Sequence, residues 1–230
     1  MKNFLALLIC ILIVSCTKEE HDFTLKGYVK GLKKGTVYLQ KQQDSLIVSV
    51  DSLEITGNSN FELHTDLTEP EVLFLRLDKN DTDEGVIVFF ADKGVTEINS
   101  TLKNFNFDAK VNGSKQQKVL EDYLLVMSKF NDQNLDLIKE KFDAQKEKDS
   151  VGILDFKNNY NNLIKRKYLY TINFAVTNKD SEVAPYLALS EIPNTSIKYL
   201  ETIYDALDET IKASKYGKQL KETIQLRKEE

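Results

Sequence analysis

The spacing of the apolar residues changes once along this chain of 230 residues, close to Ser114, and this change limits the possible folds more than any other feature. Before Ser114 the apolar residues alternate with polar ones or form short runs, as in β-strands. After Ser114 they recur every three or four residues, as in amphipathic helices. The sequence predicts an α+β protein, with an antiparallel β-sandwich or barrel over residues 23–113 and an α-helical domain over residues 114–230. Of the two β-architectures, we expect the sandwich.

The strand half shows two kinds of strand pattern. Phe23, Leu25 and Val29 share one parity, so we expect them on the buried face of one strand. Residues 72–77, apart from Arg76, and residues 86–91 are apolar runs, which predicts central strands that are covered on both faces. Turns rich in glycine and asparagine separate the strands.

Ser114 is expected to cap the first helix, because its hydroxyl can accept a hydrogen bond from a backbone N–H of the first turn. The apolar spacing after Ser114 predicts six helices. Their apolar markers are Leu120, Tyr123, Leu124 and Met127; Leu135, Ile138 and Phe142; positions within residues 153–176; Leu187; Ile197, Leu200, Tyr204, Leu207 and Ile211; and Tyr216, Leu220 and Ile224. A single amphipathic helix is marginal in water, so we expect a helical bundle that also packs against the sandwich.

The N-terminus combines Lys2 with an unbroken apolar run over residues 4–14. This run is too short to cross a bilayer as a helix, which takes about 20 residues, but it is typical of a secretory signal peptide. The run ends in the sequence Ile-Val-Ser-Cys at residues 13–16. That order of branched apolar residues, a small residue and a cysteine resembles the lipobox of bacterial lipoproteins.

The lipobox resemblance implies that residues 1–15 are removed and that Cys16 becomes an acylated first residue, joined to diacylglycerol through its sulfur. Two or more acyl chains hold a protein stably at a membrane, whereas one chain gives marginal binding. Residues 16–22 would then be a lipidated tether, with the membrane as a partner through Cys16. The alternative is an ordinary cleaved signal with a chance cysteine. Because Cys10 leaves with the leader, we expect no free thiol and no disulfide in the mature chain.

Three charged residues lie just after the cysteine. Lys18, Glu19 and Glu20 resemble the export signal that sends lipoproteins of certain Gram-negative lineages to the outer face of the outer membrane. The alternative is a solvated charged tether on a protein that faces the periplasm. In both cases we expect a lipid-anchored location at the outer membrane.

The charge balance excludes one class of partner. The formal net charge is −5, and removal of Lys2 with the leader leaves 30 basic and 36 acidic residues. A nucleic-acid-binding surface needs an excess of clustered lysine and arginine. We therefore expect no nucleic-acid partner, and no sequence motif indicates a cofactor.

Five short segments of the strand half, taken in order, resemble domain of unknown function 4369, a β-rich domain common at the N-terminus of envelope lipoproteins. They are Phe23-Thr24-Leu25-Lys26-Gly27, the turn at residues 31–35, Val37-Tyr38-Leu39, Asn60-Phe61-Glu62-Leu63 and Val111-Asn112-Gly113-Ser114. The resemblance covers residues 23–123. In many relatives a helical segment follows, and then a thioredoxin-like domain whose Cys-x-x-Cys pair exchanges disulfides.

We expect that thioredoxin-like domain to be absent here. Residues 17–230 contain no cysteine. Disulfide exchange requires a thiolate, so the redox activity that the resemblance implies does not carry over to this chain.

No standard catalytic motif is present, and we expect neither a catalytic nor a metal site. His21 and His64 are far apart in sequence and show no metal-ligand spacing. Their positions therefore predict no zinc centre.

One acidic loop could hold Ca²⁺. Residues 78–85 include Asp78, Asp81, Asp83 and Glu84, whose carboxylates could gather oxygens around the ion. The sixth position is an aspartate where the EF-hand loop has glycine, and the flanking segments are strands. A solvated hairpin loop is the favoured interpretation.

The helical half contains an aromatic group, Tyr160, Tyr168, Tyr170 and Phe174, which could line a groove for an extracellular peptide or glycan. At helical spacing such residues more often form core, so the ligand-binding residues stay unassigned.

Three functions remain open. The favoured one is a non-catalytic binding or scaffold module of the cell envelope. The second is an accessory partner of a separate thioredoxin-like envelope oxidoreductase. The third is an enzyme with an unrecognised carboxylate or tyrosine site.

Overall fold

The computed structural model describes residues 21–44, 46–78 and 85–229. Within these ranges, eight strands form two four-stranded sheets that pack as a sandwich. The strands are β1 (Phe23–Lys30), β2 (Lys34–Gln43), β3 (Leu46–Thr56), β4 (Asn60–Thr65), β5 (Glu71–Asp78), β6 (Gly85–Ala91), β7 (Gly94–Thr101) and β8 (Lys110–Asn112). The strand order is β4-β1-β7-β8 in one sheet and β3-β2-β5-β6 in the other.

The sandwich core confirms the alternation expected of the strand half. Phe23, Leu25 and Val29 are fully buried, while the intervening Lys26 and Tyr28 face solvent. Apolar residues from both sheets meet these three side chains in one cluster. The predicted α+β fold with an N-terminal sandwich is therefore confirmed.

Two strand relationships differ from the prediction. β1 and β7 pair in parallel, whereas the other described strand pairs are antiparallel. β6 is an edge strand, although its apolar run predicted a central one. The run is nevertheless covered on both faces near its end: Phe89 lies in the sandwich core, and Phe90 packs against the helices. A strand at the edge of a sheet can still be buried on both faces. The apolar run of β6 indicates this burial and not the position of the strand in the sheet.

The helical half contains six helices among the described residues. They are α1 (Lys115–Glu147), α2 (Ser150–Thr177), α3 (Val183–Ser190), α4 (Ile197–Ala206), α5 (Glu209–Lys212) and α6 (Lys215–Glu229). The predicted cap on the first helix is confirmed, because the backbone N–H of Gln117 donates to Ser114 Oγ at 3.0 Å.

Two helix boundaries differ from the prediction. The expected first and second helices are one continuous helix, α1, because residues 128–134 contain neither glycine nor proline. The expected fifth helix ends at Ala206 instead of Ile211. Leu207 and Asp208 are extended there, and Asp208, a favoured N-cap residue type, precedes α5.

The start of α1 covers the exposed edge of β6. The backbone N–H of Phe90 donates to Gln117 Oε1 at 2.8 Å, and Ser114 Oγ donates to the Phe90 carbonyl at 2.8 Å. Both groups of Phe90 would otherwise point outward from the sheet edge. Pairing them satisfies the edge and fixes α1 to the sandwich.

The helices pack on each other and on the second sheet, as expected for a bundle that rests on the sandwich. Val72 and Phe90 share a cluster with Leu120, Tyr123 and residues of α3 and α6. A second cluster joins α2, α3, α4, α5 and α6. None of the helices described has the length and hydrophobicity that a bilayer span requires.

Candidate binding surface on a helical hairpin

α1 and α2 form an antiparallel hairpin that extends beyond the rest of the protein. With 33 and 28 residues, the two helices are about 50 and 42 Å long. The buried residues of α1 cluster between Gln117 and Met127, and those of α2 lie at Leu163 and beyond. Residues 128–162 are all described, and Ala144 is the one buried residue among them. The outer part of the hairpin therefore has no core other than its own interhelical seam.

The seam fixes the register of the two helices. Gly152 lies against Ala144, because a methyl group on Gly152 would come within 3.0 Å of the Ala144 Cβ. The Lys141 ammonium lies 5.0 Å from the centre of the Phe156 ring. Asn134 also belongs to the seam, and its Oδ1 is buried without a hydrogen-bond partner among the described residues.

Four apolar side chains on the outer part of the hairpin make up what we call the hairpin face: Leu135 and Phe142 on α1, and Ile153 and Tyr160 on α2. All four are exposed, and Leu135 and Phe142 are 65% and 64% exposed. Within each helix the two residues are seven positions apart, which is about two turns, so each pair forms one exposed apolar stripe along its helix.

The exposure of the hairpin face is unusual for apolar residues on long helices. Helices of this kind gain most of their stability from packing an apolar face, and here two residue pairs, each separated by seven positions, stay unpacked. Contiguous exposed apolar residues bordered by polar ones are typical of protein–protein contact surfaces. The face can bind an apolar surface, and its side chains offer few groups for proton transfer or metal binding.

Sequence reasoning placed these residues in the right stripes but expected a partner within the chain. Leu135 and Phe142 were predicted core markers, and the structure leaves both exposed. A signal was present: α1 is apolar on more positions than one antiparallel neighbour can cover. The continuous helix, which was not predicted, carries these positions away from the bundle.

The aromatic group predicted for a groove does not form one. Tyr170 and Phe174 pack on Tyr123 in the core, with ring centroids 5.9 and 5.3 Å from the Tyr123 ring. Tyr168 packs against the second helical cluster. Tyr160 alone reaches the hairpin face, where its ring stacks on Phe156 at 5.7 Å. The four residues therefore do not line a common groove, and the interpretation of this group as core holds for Tyr168, Tyr170 and Phe174.

The two histidines, which lie far apart in sequence, come together. The His21 and His64 rings stack with centroids 5.9 Å apart, and His21 Nδ1 lies 3.3 Å from Asp66 Oδ1. No group of three His, Cys, Asp or Glu side chains in the described ranges is arranged to hold a metal ion. The stack is a contact between the entry of the chain and β4.

Several predicted sites fall outside the described residues. Cys16, Lys18, Glu19 and Glu20 precede residue 21, where the description begins. The acidic loop is described only at its two ends, Asp78 and Gly85, because residues 79–84 lie outside. Leu77 pairs with Gly85 in antiparallel strands, so the loop joins β5 to β6 as the favoured hairpin interpretation requires.

Two grooves of about 380 and 370 Å³ beside α6 are a concave alternative. Both are bordered by Gln42 and Gln219, at the junction of sandwich and helices. Several of the reactive side chains there are engaged: Lys215 pairs with Glu71, and the Tyr216 hydroxyl accepts the Val72 N–H. These groups hold the two parts of the molecule together, which leaves the hairpin face as the better candidate.

Comparison with known families identifies one part of the chain. Residues 23–120 match the family model described as "Domain of unknown function (DUF4369)". No curated protein matches the chain. The matched range continues past the sandwich through Leu120, and so includes the Ser114 and Gln117 contacts that cover the β6 edge. Residues 23–120 therefore form a DUF4369 domain, which comprises the sandwich and the first turns of α1.

Proposed function

We propose that this chain is a bacterial envelope lipoprotein, anchored at the outer membrane through Cys16, that works as a non-catalytic binding or scaffold module. The hairpin face is its proposed binding surface. The observation that carries this proposal is the exposure of Leu135 and Phe142 on a hairpin that extends beyond the core.

The anchor rests on the sequence of the leader. The apolar run over residues 4–14 and the lipobox-like residues that end in Cys16 support lipidation. Lys18, Glu19 and Glu20 support export to the outer face of the outer membrane. Without that export the protein would face the periplasm on the same anchor.

The chemistry of the hairpin face favours a protein partner over a glycan. Leucine, phenylalanine and isoleucine provide no hydrogen-bonding groups, and glycans are bound through hydrogen bonds as well as aromatic stacking. A partner that presents apolar side chains would cover the face and strengthen the thinly packed seam.

Photo-crosslinking in intact cells tests the binding surface. p-Benzoylphenylalanine is placed at Phe142 or Leu135, and the matched control position is Leu125, which is also a leucine on α1 with 65% exposure but lies off the hairpin face. We expect a discrete protein adduct from positions 142 and 135 and none from position 125. Equal labelling at all three positions, or none, would contradict the proposal.

A charge substitution sharpens the same test. With the crosslinker at position 142, Leu135→Glu should reduce the adduct by about tenfold or more, because a carboxylate would have to be buried on binding. Leu125→Glu should leave the adduct unchanged. The adduct also identifies the partner by mass spectrometry, and a thioredoxin-like envelope protein would assign the accessory role.

A further inference from the structure

The chain enters the sandwich at a fixed point. The Asp22 carbonyl accepts a hydrogen bond from the Gly94 N–H at 2.7 Å, and Asp22 Oδ1 accepts one from the Leu67 N–H at 2.8 Å. The Lys93 ammonium lies 2.8 Å from Asp22 Oδ2. These contacts hold the entry point against the β6–β7 turn and the loop after β4. We call this end of the sandwich the entry end.

The turn between β2 and β3 lies at the same end. Asp51 Oδ2 accepts a hydrogen bond from the His64 N–H at 2.7 Å, and His64 pairs with Thr24, the second residue of β1. Asp51 is therefore level with the start of β1. β3 ends near the start of β4, at the opposite end of β1, so its beginning points toward the entry end. From Asp51 back to Leu46, β3 covers about 17 Å at 3.4 Å per residue.

The β2–β3 hairpin extends beyond the edge of the β2–β5 pairing. β2 pairs with β5 as far as Lys41, and beyond that point Gln42 and Gln43 pair with β3 alone. Leu46 and Ile47, opposite those glutamines, are 69% and 58% exposed. Consecutive strand residues point to opposite faces, so packing on the sheet could bury at most one of them. Here neither is buried, and we call these two residues the β2–β3 tip.

The entry end is not basic. Its charged residues within the described ranges are Asp22, Asp44, Asp66, Glu69, Glu71 and Asp92 against Lys41, Lys93 and Lys215. Attraction to anionic headgroups is therefore not the force that would bring this end to a membrane. Contact there must come from apolar side chains.

The anchor limits how far the entry end can lie from the lipid. Four residues lie between Cys16 and His21, and the five residue steps span at most about 18 Å even in a fully extended chain. We propose that the β2–β3 tip inserts Leu46 and Ile47 into the lipid surface that holds Cys16. This inference rests on the anchor of the proposed function.

The tip and the anchor would act together. Two apolar side chains alone bind a membrane weakly, but a lipid anchor keeps them at high local concentration beside the surface. Their insertion gives the protein a second attachment point. Rotation of the sandwich about its tether is then restricted, and the hairpin keeps a preferred direction relative to the membrane.

Tryptophan fluorescence tests the insertion, because the chain contains no tryptophan. Residues 16–230 carrying Ile47→Trp are coupled through Cys16, their sole cysteine, to a maleimide-headgroup lipid in phosphatidylcholine vesicles with dibrominated acyl chains. The control is Tyr28→Trp, at a position 40% exposed near the other end of β1. We expect a blue shift and about twofold quenching for Ile47→Trp after coupling, and neither for Tyr28→Trp.

The possible outcomes separate the sources of contact. The shift should be the same with and without an anionic phospholipid in the vesicles. An unshifted and unquenched Ile47→Trp spectrum would overturn the insertion, as would a shift that requires the anionic lipid. A shift that develops with protein concentration in the absence of vesicles would assign the tip to a second copy, which also overturns it. Chemical coupling makes this result independent of lipidation in cells, so failure of the tip and failure of the anchor are distinguishable.

Discussion

The hydroxyl of Tyr216 accepts a hydrogen bond of 2.9 Å from the backbone N–H of Val72, across 144 residues of chain. The pairing of β2 with β5 ends at Lys41 and Leu73, so the N–H of Val72, the next residue outward, has no partner in the β-ladder. Tyr216 supplies one, and its ring packs edge-on against Phe90 and Tyr186. The last helix thereby completes the hydrogen bonding of the second sheet.

Tyr216→Phe should lower the free energy of unfolding by about 1–3 kcal/mol, because the change leaves a buried backbone N–H unpaired while the ring stays in place. Tyr199→Phe is the control, since Tyr199 is exposed and should change stability by less than about 0.5 kcal/mol. Urea unfolding followed by circular dichroism measures both. Equal stabilities of the two variants would contradict the structural role of this bond.

Asn134→Leu should raise the free energy of unfolding by about 1 kcal/mol. The change removes a buried amide oxygen that has no hydrogen-bond partner in the described part of the chain, and it extends the apolar seam of the hairpin. Gln133→Leu, on the neighbouring exposed position, is the control. A loss of stability in Asn134→Leu would show that the amide is satisfied in solution.

Glu182→Gln should change how stability depends on pH. Burial raises the pKa of the Glu182 carboxyl, against the opposing effect of a hydrogen bond with Ser214. The folded protein therefore holds this proton more tightly than the unfolded chain does, and stability is lost as the pH rises through the raised pKa. The glutamine variant has no carboxyl to ionise at this position, so it does not lose stability in this way.

Thermal unfolding at several pH values tests the Glu182 prediction. Wild type and Glu182→Gln should be closest at about pH 4 or below, and the variant should become progressively more stable than wild type toward neutral pH. Glu222→Gln, at an exposed position, should follow wild type throughout. A constant offset between wild type and Glu182→Gln would exclude the linkage.

Gly27→Ala should lower the free energy of unfolding by about 1–3 kcal/mol through overpacking. Gly27 lies opposite Phe61 in the β1–β4 pair, and a methyl group there would come within 2.0 Å of the Phe61 ring. Adding Phe61→Leu to Gly27→Ala should recover part of the loss. Chemical denaturation of the single and double variants measures the coupling free energy between the two positions. If the effects of the two substitutions simply add, the contact between Gly27 and the Phe61 ring does not limit stability.

Local patterns in the sequence predicted the elements well. The Ser114 cap, the buried parity of Phe23, Leu25 and Val29, and the change from strands to helices all depend on residues that are close together in the chain. Periodicity and capping act over one or two turns, so a single sequence carries enough information to locate them.

Relationships between distant residues could not be predicted in the same way. The parallel pairing of β1 with β7, the edge position of β6 and the Tyr216–Val72 bond all depend on how strands and helices are arranged in space. Hydrophobicity also does not distinguish an apolar residue that packs from one that stays exposed, which is why the hairpin face was first assigned to core. The break at Leu207 depends on two backbone conformations that helical spacing does not reveal.

Lipidation of Cys16 is the central claim, because it determines where the protein works and which surfaces can meet a partner or a membrane. Intact-mass analysis of the protein extracted from membranes of the producing cells tests it most directly. We expect a mass equal to residues 16–230 with a diacylglyceryl group and an additional acyl chain, and loss of the membrane association in Cys16→Ala. An unmodified Cys16, or a chain that retains residues 1–15, would contradict the account.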